Sequence, residues 1–166
     1  MITLRNGVSE DLATIEAVTA AAFKNAPHTQ HNEHLIVRSL QHADALTVSL
    51  VAEKDGVIVG HAAISPVTIS NGASGWFGLG PVSVLPEHQK QGIGSQLIKS
   101  ALNIIRSQGA VGCVVLGDPY FYANYGFIAD PHLTLPGVPA EYFQSTLFSG
   151  ALPTGTVSYH PAFNAA

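Results

Sequence analysis

The sequence predicts a single mixed α/β (α+β) domain over residues 1–166, a central β-sheet flanked by helices. Two β-rich runs flank Lys54-Asp55-Gly56, three segments repeat apolar residues at helical spacing, and GCVVLG, residues 112–117, is a continuous apolar run bounded by glycines. The last pattern is that of a strand buried on both faces. The length is enough to bury a sizeable core without disulfides or metals.

The elements follow in order. Ile2 and Leu4 alternate with polar residues and predict a short first strand. From Ser9 to Phe23, apolar side chains recur at Leu12, Ile15, Val18, Ala22 and Phe23, one face of a helix, while Ser9, Glu10 and Asp11 supply the caps and negative charge that a helix N-terminus favours. Pro27 marks a loop, and Glu33 to Gln41 reads as a second helix with Leu35, Ile36, Val37 and Leu40 inward. Asp55-Gly56 then joins two strands into a hairpin, because a tight hairpin turn needs left-handed residues that Asp tolerates and Gly adopts freely. The turn SNGASG leads to a strand from about Trp76 to Val84. Next comes a long helix, Gly94 to Ser107, with Leu97, Ile98, Ala101, Leu102 and Ile105 on its apolar face and Gly109 ending it. Asp118-Pro119, an N-cap followed by proline at the first helical position, predicts a short helix over 119–124. Beyond Pro131 the prolines at 136, 139 and 153 separate short apolar pieces, with TVSYH as the last strand.

Composition excludes several classes. The formal charge is −4, with only seven Lys and Arg, so there is no basic stripe to neutralise nucleic-acid phosphates and no nucleic-acid partner is expected. No apolar stretch approaches the roughly 18 residues of a membrane span, and MITLRNGVSEDL lacks a charged-then-apolar leader pattern, so a cytoplasmic protein with no membrane partner is expected. Apolar residues make up 46% of the chain and charged residues 11%, with a mean hydropathy of +0.25. An apolar-rich surface of this kind leads us to expect a homodimer.

The chemistry begins at HQKQGIGSQLI. Gly92 and Gly94 lie between a strand and a helix, where unpaired amides and the helix dipole make an anion site, so the ligand should carry phosphate. A P-loop would need Gly, four residues and then Gly-Lys-Ser/Thr, which is absent, and a dinucleotide fingerprint would need a small residue where Leu97 stands.

Gln89-Lys90-Gln91-Gly92-Ile93-Gly94 resembles the Gln/Arg-x-x-Gly-x-Gly/Ala pyrophosphate loop of the GNAT N-acyltransferase superfamily. Pro81 interrupts the preceding strand, where it has no N–H for a ladder bond, so a bulge or an edge is expected there. In that family the corresponding strand bulges and splays from its neighbour, and the pantetheine arm of acetyl-CoA enters the gap. The resemblance therefore implies a splayed central strand pair, pantetheine contacts at Val82, Ser83 and Val84, and pyrophosphate contacts at Gln89, Lys90, Gln91, Gly92, Ile93, Gly94 and Ser95. DPYFYANYGF is similar to the family's Tyr-x-x-x-Gly-Phe segment at Tyr122, Gly126 and Phe127, which implies Tyr122 as the general acid for the departing thiolate. The resemblance is strongest over residues 75–128, and LGPVSVLPEHQKQGIG with the proline-rich tail is similar to predicted bacterial N-acetyltransferases. Two positions depart from the pattern. Gly117-Asp118-Pro119 replaces a common Asn-x-x-Ala, and Asn124 stands where the subgroup often has Arg, so neither family contact carries over.

The implied activity is transfer of an acetyl group from acetyl-CoA, the co-substrate, directly to a primary amine in a ternary complex. Cys113, the one cysteine, reads as a buried hydrophobe and not as an acyl carrier, and Tyr120 and Tyr125 read as packing aromatics. The strand before the loop, GWFGLGPVSVL, holds no carboxylate to serve as base, which leaves Glu33 and His61 as substitutes. Glu33 also reads as a helix N-terminal charge, and His61 as a strand histidine. His28, His31 and His34 recur every three residues beside Glu33, and border the acceptor cleft in the implied fold rather than binding metal, so no metal is expected. Two other readings stand beside the enzyme: a CoA-binding sensor or interaction module without turnover, and a nucleotide-binding oxidoreductase, against which Leu97 argues. Sparse charge gives no sign of a strongly acidic or basic acceptor.

Overall fold

The computed structural model describes residues 1–27 and 29–166; His28 lies outside the described residues. The main sheet is built from β1 (Ile2–Asn6), β2 (Val48–Lys54), β3 (Val57–Pro66), β5 (Trp76–Val84), β6 (Gly112–Leu116) and β8 (Phe143–Leu147), in the order β1-β2-β3-β5-β6-β8. Three short strands, β4 (Thr68–Ile69), β7 (Leu133–Thr134) and β9 (Gly155–Ser158), form a second sheet in the order β4-β9-β7. The helices are α1 (Leu12–Phe23), α2 (Glu33–His42), α3 (Ile93–Ser107) and the single turn α4 (Pro119–Tyr122). Only the β5–β6 pairing in the main sheet is parallel, so the sheet is mixed.

Local chemistry explains most boundaries. Asp55 and Gly56 both take left-handed φ, 53° and 79°, and close the β2–β3 hairpin. Residues 9–11, expected as the first turn of α1, form a tighter 3-10 turn instead. The Asp11 carboxylate accepts from the Val8 amide at 2.8 Å and pairs with Arg5 at 2.8 Å, which tightens the chain before the α-helix starts. β4, β7 and β8 are strands that the sequence did not announce.

Two layers cover the sheet. On one face α3 packs Ile93, Leu97, Ile98, Ala101, Leu102 and Ile105 against Leu50, Ala62, Ile64, Leu79, Cys113 and Val115. Leu97, Ile98 and Ile105 are fully buried, each contributing about 1.5–3 kcal/mol. On the other face Ile15 and Val18 of α1 and Val37 of α2 meet Val51.

The central pair of strands parts at Pro81. β5 runs parallel to β6 from Trp76↔Gly112 to Leu79↔Val115 and no further, while Val82, Ser83 and Val84 remain paired with Ala62, His61 and Gly60 of β3. Between Leu79↔Ile64 and Val82↔Ala62, Gly80 and Pro81 together oppose Ala63 alone, which is a β-bulge. The expected bulge and splay are both present, and they open the sheet at its centre.

Candidate active site

The C-terminal half of β5, the loop after it and the start of α3 make one wall of a cleft of about 450 Å³, and α4 makes the other. Alternation along β5 turns Val82 and Val84 into the cleft and Ser83 away from it. The Ser83 hydroxyl instead donates to Thr19 Oγ1 of α1 at 3.2 Å, on the opposite face of the sheet.

The loop is held by its own residues. The Gln89 side-chain amide folds back and donates to the Val84 carbonyl at 3.0 Å, fastening the loop to the end of β5. Lys90 and Gly92 take left-handed φ of 62° and 83°, on either side of Gln91. Alternation of this kind turns backbone amides into an anion-binding concavity. Gly92 is the N-cap of α3, and no side chain caps this end. The first helical bond there is Gln96 N–H to the Gly92 carbonyl at 3.1 Å, so the amides of Ile93, Gly94 and Ser95 have no acceptor within the helix. A Cβ at Gly92 would meet nothing within 4 Å, and one at Gly94 would meet only Val84 Cγ2 at 3.8 Å. The protein itself leaves the space above this loop open.

Across the cleft, Asp118 caps α4 by accepting from the Tyr120 amide at 2.9 Å. The turn presents Tyr122, whose ring meets Phe121 and Phe127 edge-on with centroids 5.0 and 5.9 Å apart. Its other face lies on Gly117, where an added Cβ would stand 2.6 Å from the ring. Glycine in place of the family's Asn-x-x-Ala start therefore has a packing reason here. Burial, with smaller contributions from Tyr125 and Asp118, pushes the Tyr122 phenol up to about 12, so it keeps its proton at neutral pH.

The cleft gathers Val82, Val84, Gln89, Lys90, Gly92, Ile93, Gly94, Ser95 and Tyr122, and leaves out the side chains of Ser83 and Gln91. Three lining residues escaped the sequence reading: His88, Ile98 and Phe121. His88 directly precedes the loop and has an Nδ1 that is buried without a partner among the described residues, a position that the motif does not specify. Ile98 lies on the apolar face of α3 and was legible only as core. Tyr120, expected to pack, is 88% exposed and points to solvent, whereas Tyr125 does pack, 5.4 Å from Phe121.

The candidate bases lie elsewhere. His61 is fully buried on the α1 face, sharing a 2.9 Å hydrogen bond with Ser49, and burial pulls it down to about 4, so it is neutral at physiological pH. Glu33 lines a separate pocket between α1 and α2; its Oε2 accepts the Thr29 hydroxyl, and its Oε1 is buried without a partner among the described residues. Cys113 is buried and its thiol is pushed up by that burial, which removes the thiolate an acyl carrier would need. Among the described residues no group of three or more His, Cys, Asp or Glu side chains is arranged to hold a metal ion, and no helix is long and apolar enough to cross a membrane.

Comparison with known proteins agrees with this geometry. The model of the acetyltransferase (GNAT) family matches residues 13–127. The N-acetyltransferase YhbS of Escherichia coli (strain K12), itself named as uncharacterized, is 30% identical over 168 residues, covering 97% of this chain and 98% of its own. A GNAT family acetyltransferase from Brucella melitensis, solved in complex with acetyl-CoA, superposes with a TM-score of 0.88 at 45% identity, covering 98% of each chain. The crystal structure of E. coli YhbS in complex with CoA also gives 0.88, at 29% identity over 98% of this chain and 92% of that one. From the family match over most of its length, and from a fold that carries the splayed strands and the glycine loop, the chain is a member of the acetyltransferase (GNAT) family.

Proposed function

We propose that the whole chain acts as one enzyme unit that moves the acetyl group of acetyl-CoA directly to a primary amine in a ternary complex, in the cytoplasm. The observation that carries this reading is the cleft at the splay, where unpaired loop amides and a protonated phenol face one opening in the sheet. The 45%-identical Brucella protein, solved with acetyl-CoA, supports the choice of donor.

The amides from Gln91 to Ser95 hold the pyrophosphate, with the dipole of α3 behind them and Lys90 as a flanking charge. Val82 and Val84 line the path of the pantetheine arm, and the backbone of Val82, Ser83 and Val84, unpaired on the β6 side, bonds to it. Acetyl-CoA supplies a thioester. As the amine nitrogen bonds to the acetyl carbon, the C–S bond breaks and Tyr122 gives its proton to the departing sulfur. Glu33 takes the proton that the amine loses. Its Oε1, buried without a partner among the described residues, and the Ser83–Thr19 bond, which ties α1 to the far side of β5, support that assignment.

A second reading, CoA binding without turnover, is favoured by one observation: no carboxylate lines the cleft. Thiol release with a library of primary amines separates the two. Acetyl transfer that falls about 10²–10⁴-fold in Tyr122→Phe supports the enzyme. Tight acetyl-CoA binding with no thiol released by any amine supports the sensor. We also propose a homodimer, on the exposure of Leu116, Tyr120, Ile128, Tyr142 and Leu147 around β6 and β8. Sedimentation that returns only a 17.4 kDa species would remove it.

A further inference from the structure

The pocket that holds Glu33 has a charge pattern of its own. It is an open pocket of about 480 Å³ between the end of α1, with Ala20, Phe23 and the following Lys24, and the start of α2, with Glu33, His34 and the preceding His31. That volume suits a small molecule. Two of its lining residues are tied together behind it: the Thr29 hydroxyl donates to Glu33 Oε2 and accepts from the His31 amide at 3.0 Å, where His31 takes a left-handed φ of 57°. Among the described residues one carboxylate oxygen, Glu33 Oε1, is buried without a donor. Among the described residues Lys24 makes no ion pair.

α1 links this pocket to the strand that forms the cleft. Val82 and Val84 face the cleft, and Ser83 meets Thr19, the residue before Ala20, on the opposite side. The pocket therefore lies on the α1 side of the sheet, the face opposite α3 and the glycine loop.

The chemistry of the lining selects a class. A buried carboxylate oxygen needs an N–H donor, which an amine supplies. A polycation would leave one carboxylate facing several positive charges beside Lys24, and a simple alkylamine would leave Lys24 and the imidazole donors unused. We propose that the pocket takes the acceptor, and that the acceptor is a small primary amine carrying an anionic group, its nitrogen toward Glu33 and its anion toward Lys24, His31 and His34. This rests on the acetyl-transfer reading and names its substrate class.

Matched pairs test it: lysine against cadaverine, which differ by a carboxylate, and phosphoethanolamine against ethanolamine, which differ by a phosphate. The expected result is a kcat/KM at least about tenfold higher for the anionic member of one or both pairs, the effect of one charge contact, with the ratio falling toward one in Lys24→Gln. Whichever pair shows it identifies the anion. Equal or reversed preference, or a ratio that survives Lys24→Gln, overturns the proposal while leaving acetyl transfer intact. If no amine is acetylated although acetyl-CoA binds, the transfer reading fails. Calorimetry of the same four amines on CoA-loaded protein then decides the pocket: binding of an anionic member that Lys24→Gln abolishes sustains it, and no such binding overturns it.

Discussion

Gly117→Ala moves the proposed acid without touching its chemistry. The added methyl would stand 2.6 Å from Tyr122 Cε2 and 3.3 Å from Cδ2, where ordinary contact begins near 3.4 Å. One partner must retreat by about 0.8 Å, close to the 1 Å misplacement that can cost 10²-fold in rate. The backbone is held on both sides: the Gly117 amide donates to the Tyr142 carbonyl at 2.9 Å, and the Gly117 carbonyl accepts from the Gln144 side chain at 2.9 Å. The ring is therefore what yields. We expect kcat to fall by about 10²-fold with the acetyl-CoA dissociation constant within a few-fold of wild type, measured by stopped-flow thiol release and calorimetry on the same protein. An unchanged kcat, with the folded state intact by circular dichroism, would refute the assignment of Tyr122 as the group that meets the sulfur.

Gly112→Ala is the matching test of the fold: its Cβ would stand 2.4 Å from Trp76 and 2.7 Å from the Thr146 carbonyl, so we expect a loss of about 3 kcal/mol in urea unfolding, against no loss if the β6–β8 packing is looser than described. His61 makes stability fall in acid. Its folded value of about 4 lies below the ordinary 6.5, so its contribution is complete above pH 6.5 and is lost as pH drops toward 4, by about 3 kcal/mol in all. His61→Gln should flatten the change in urea midpoint between pH 7.5 and 4.5, and an unaltered slope would assign the acid sensitivity elsewhere.

Much of the fold was legible because local signals agreed with it. Asp55-Gly56 dictates its turn whatever surrounds it, and the apolar stripe of α3 needs only a sheet to cover. The cleft was legible for the same reason, since a strand, a bulge at Pro81 and a glycine loop are contiguous in sequence and leave their ligand-facing atoms on the backbone. Other features depend on contacts between distant segments. β8 carries Gln144 and Ser145 at its centre, both buried, and Gln144 is tolerated there because its amide donates to Gly117, a partner 27 residues away. Nothing in FQSTL alone announces a strand. The side chain of Ser83 turns to α1 while Val82 and Val84 face the cleft, because one extra residue in the bulge sets which side chains point where. That Lys24 and Glu33 line one pocket is likewise invisible in one dimension, for the pocket arises only where the end of one helix meets the start of the next.

The central claim is that the loop from Gln89 to Ser95 cradles the diphosphate of acetyl-CoA, and calorimetry on wild type and Gly92→Glu tests it most directly. The structure leaves open space at Gly92, so the glutamate would project where the phosphates belong, on a backbone whose φ of 83° already disfavours it. Binding by wild type that is reduced at least about 100-fold in the variant, a coupling near 3 kcal/mol, is the expected result. Equal affinity in both proteins, or no binding by wild type, would contradict the account and leave the loop as a turn between a strand and a helix.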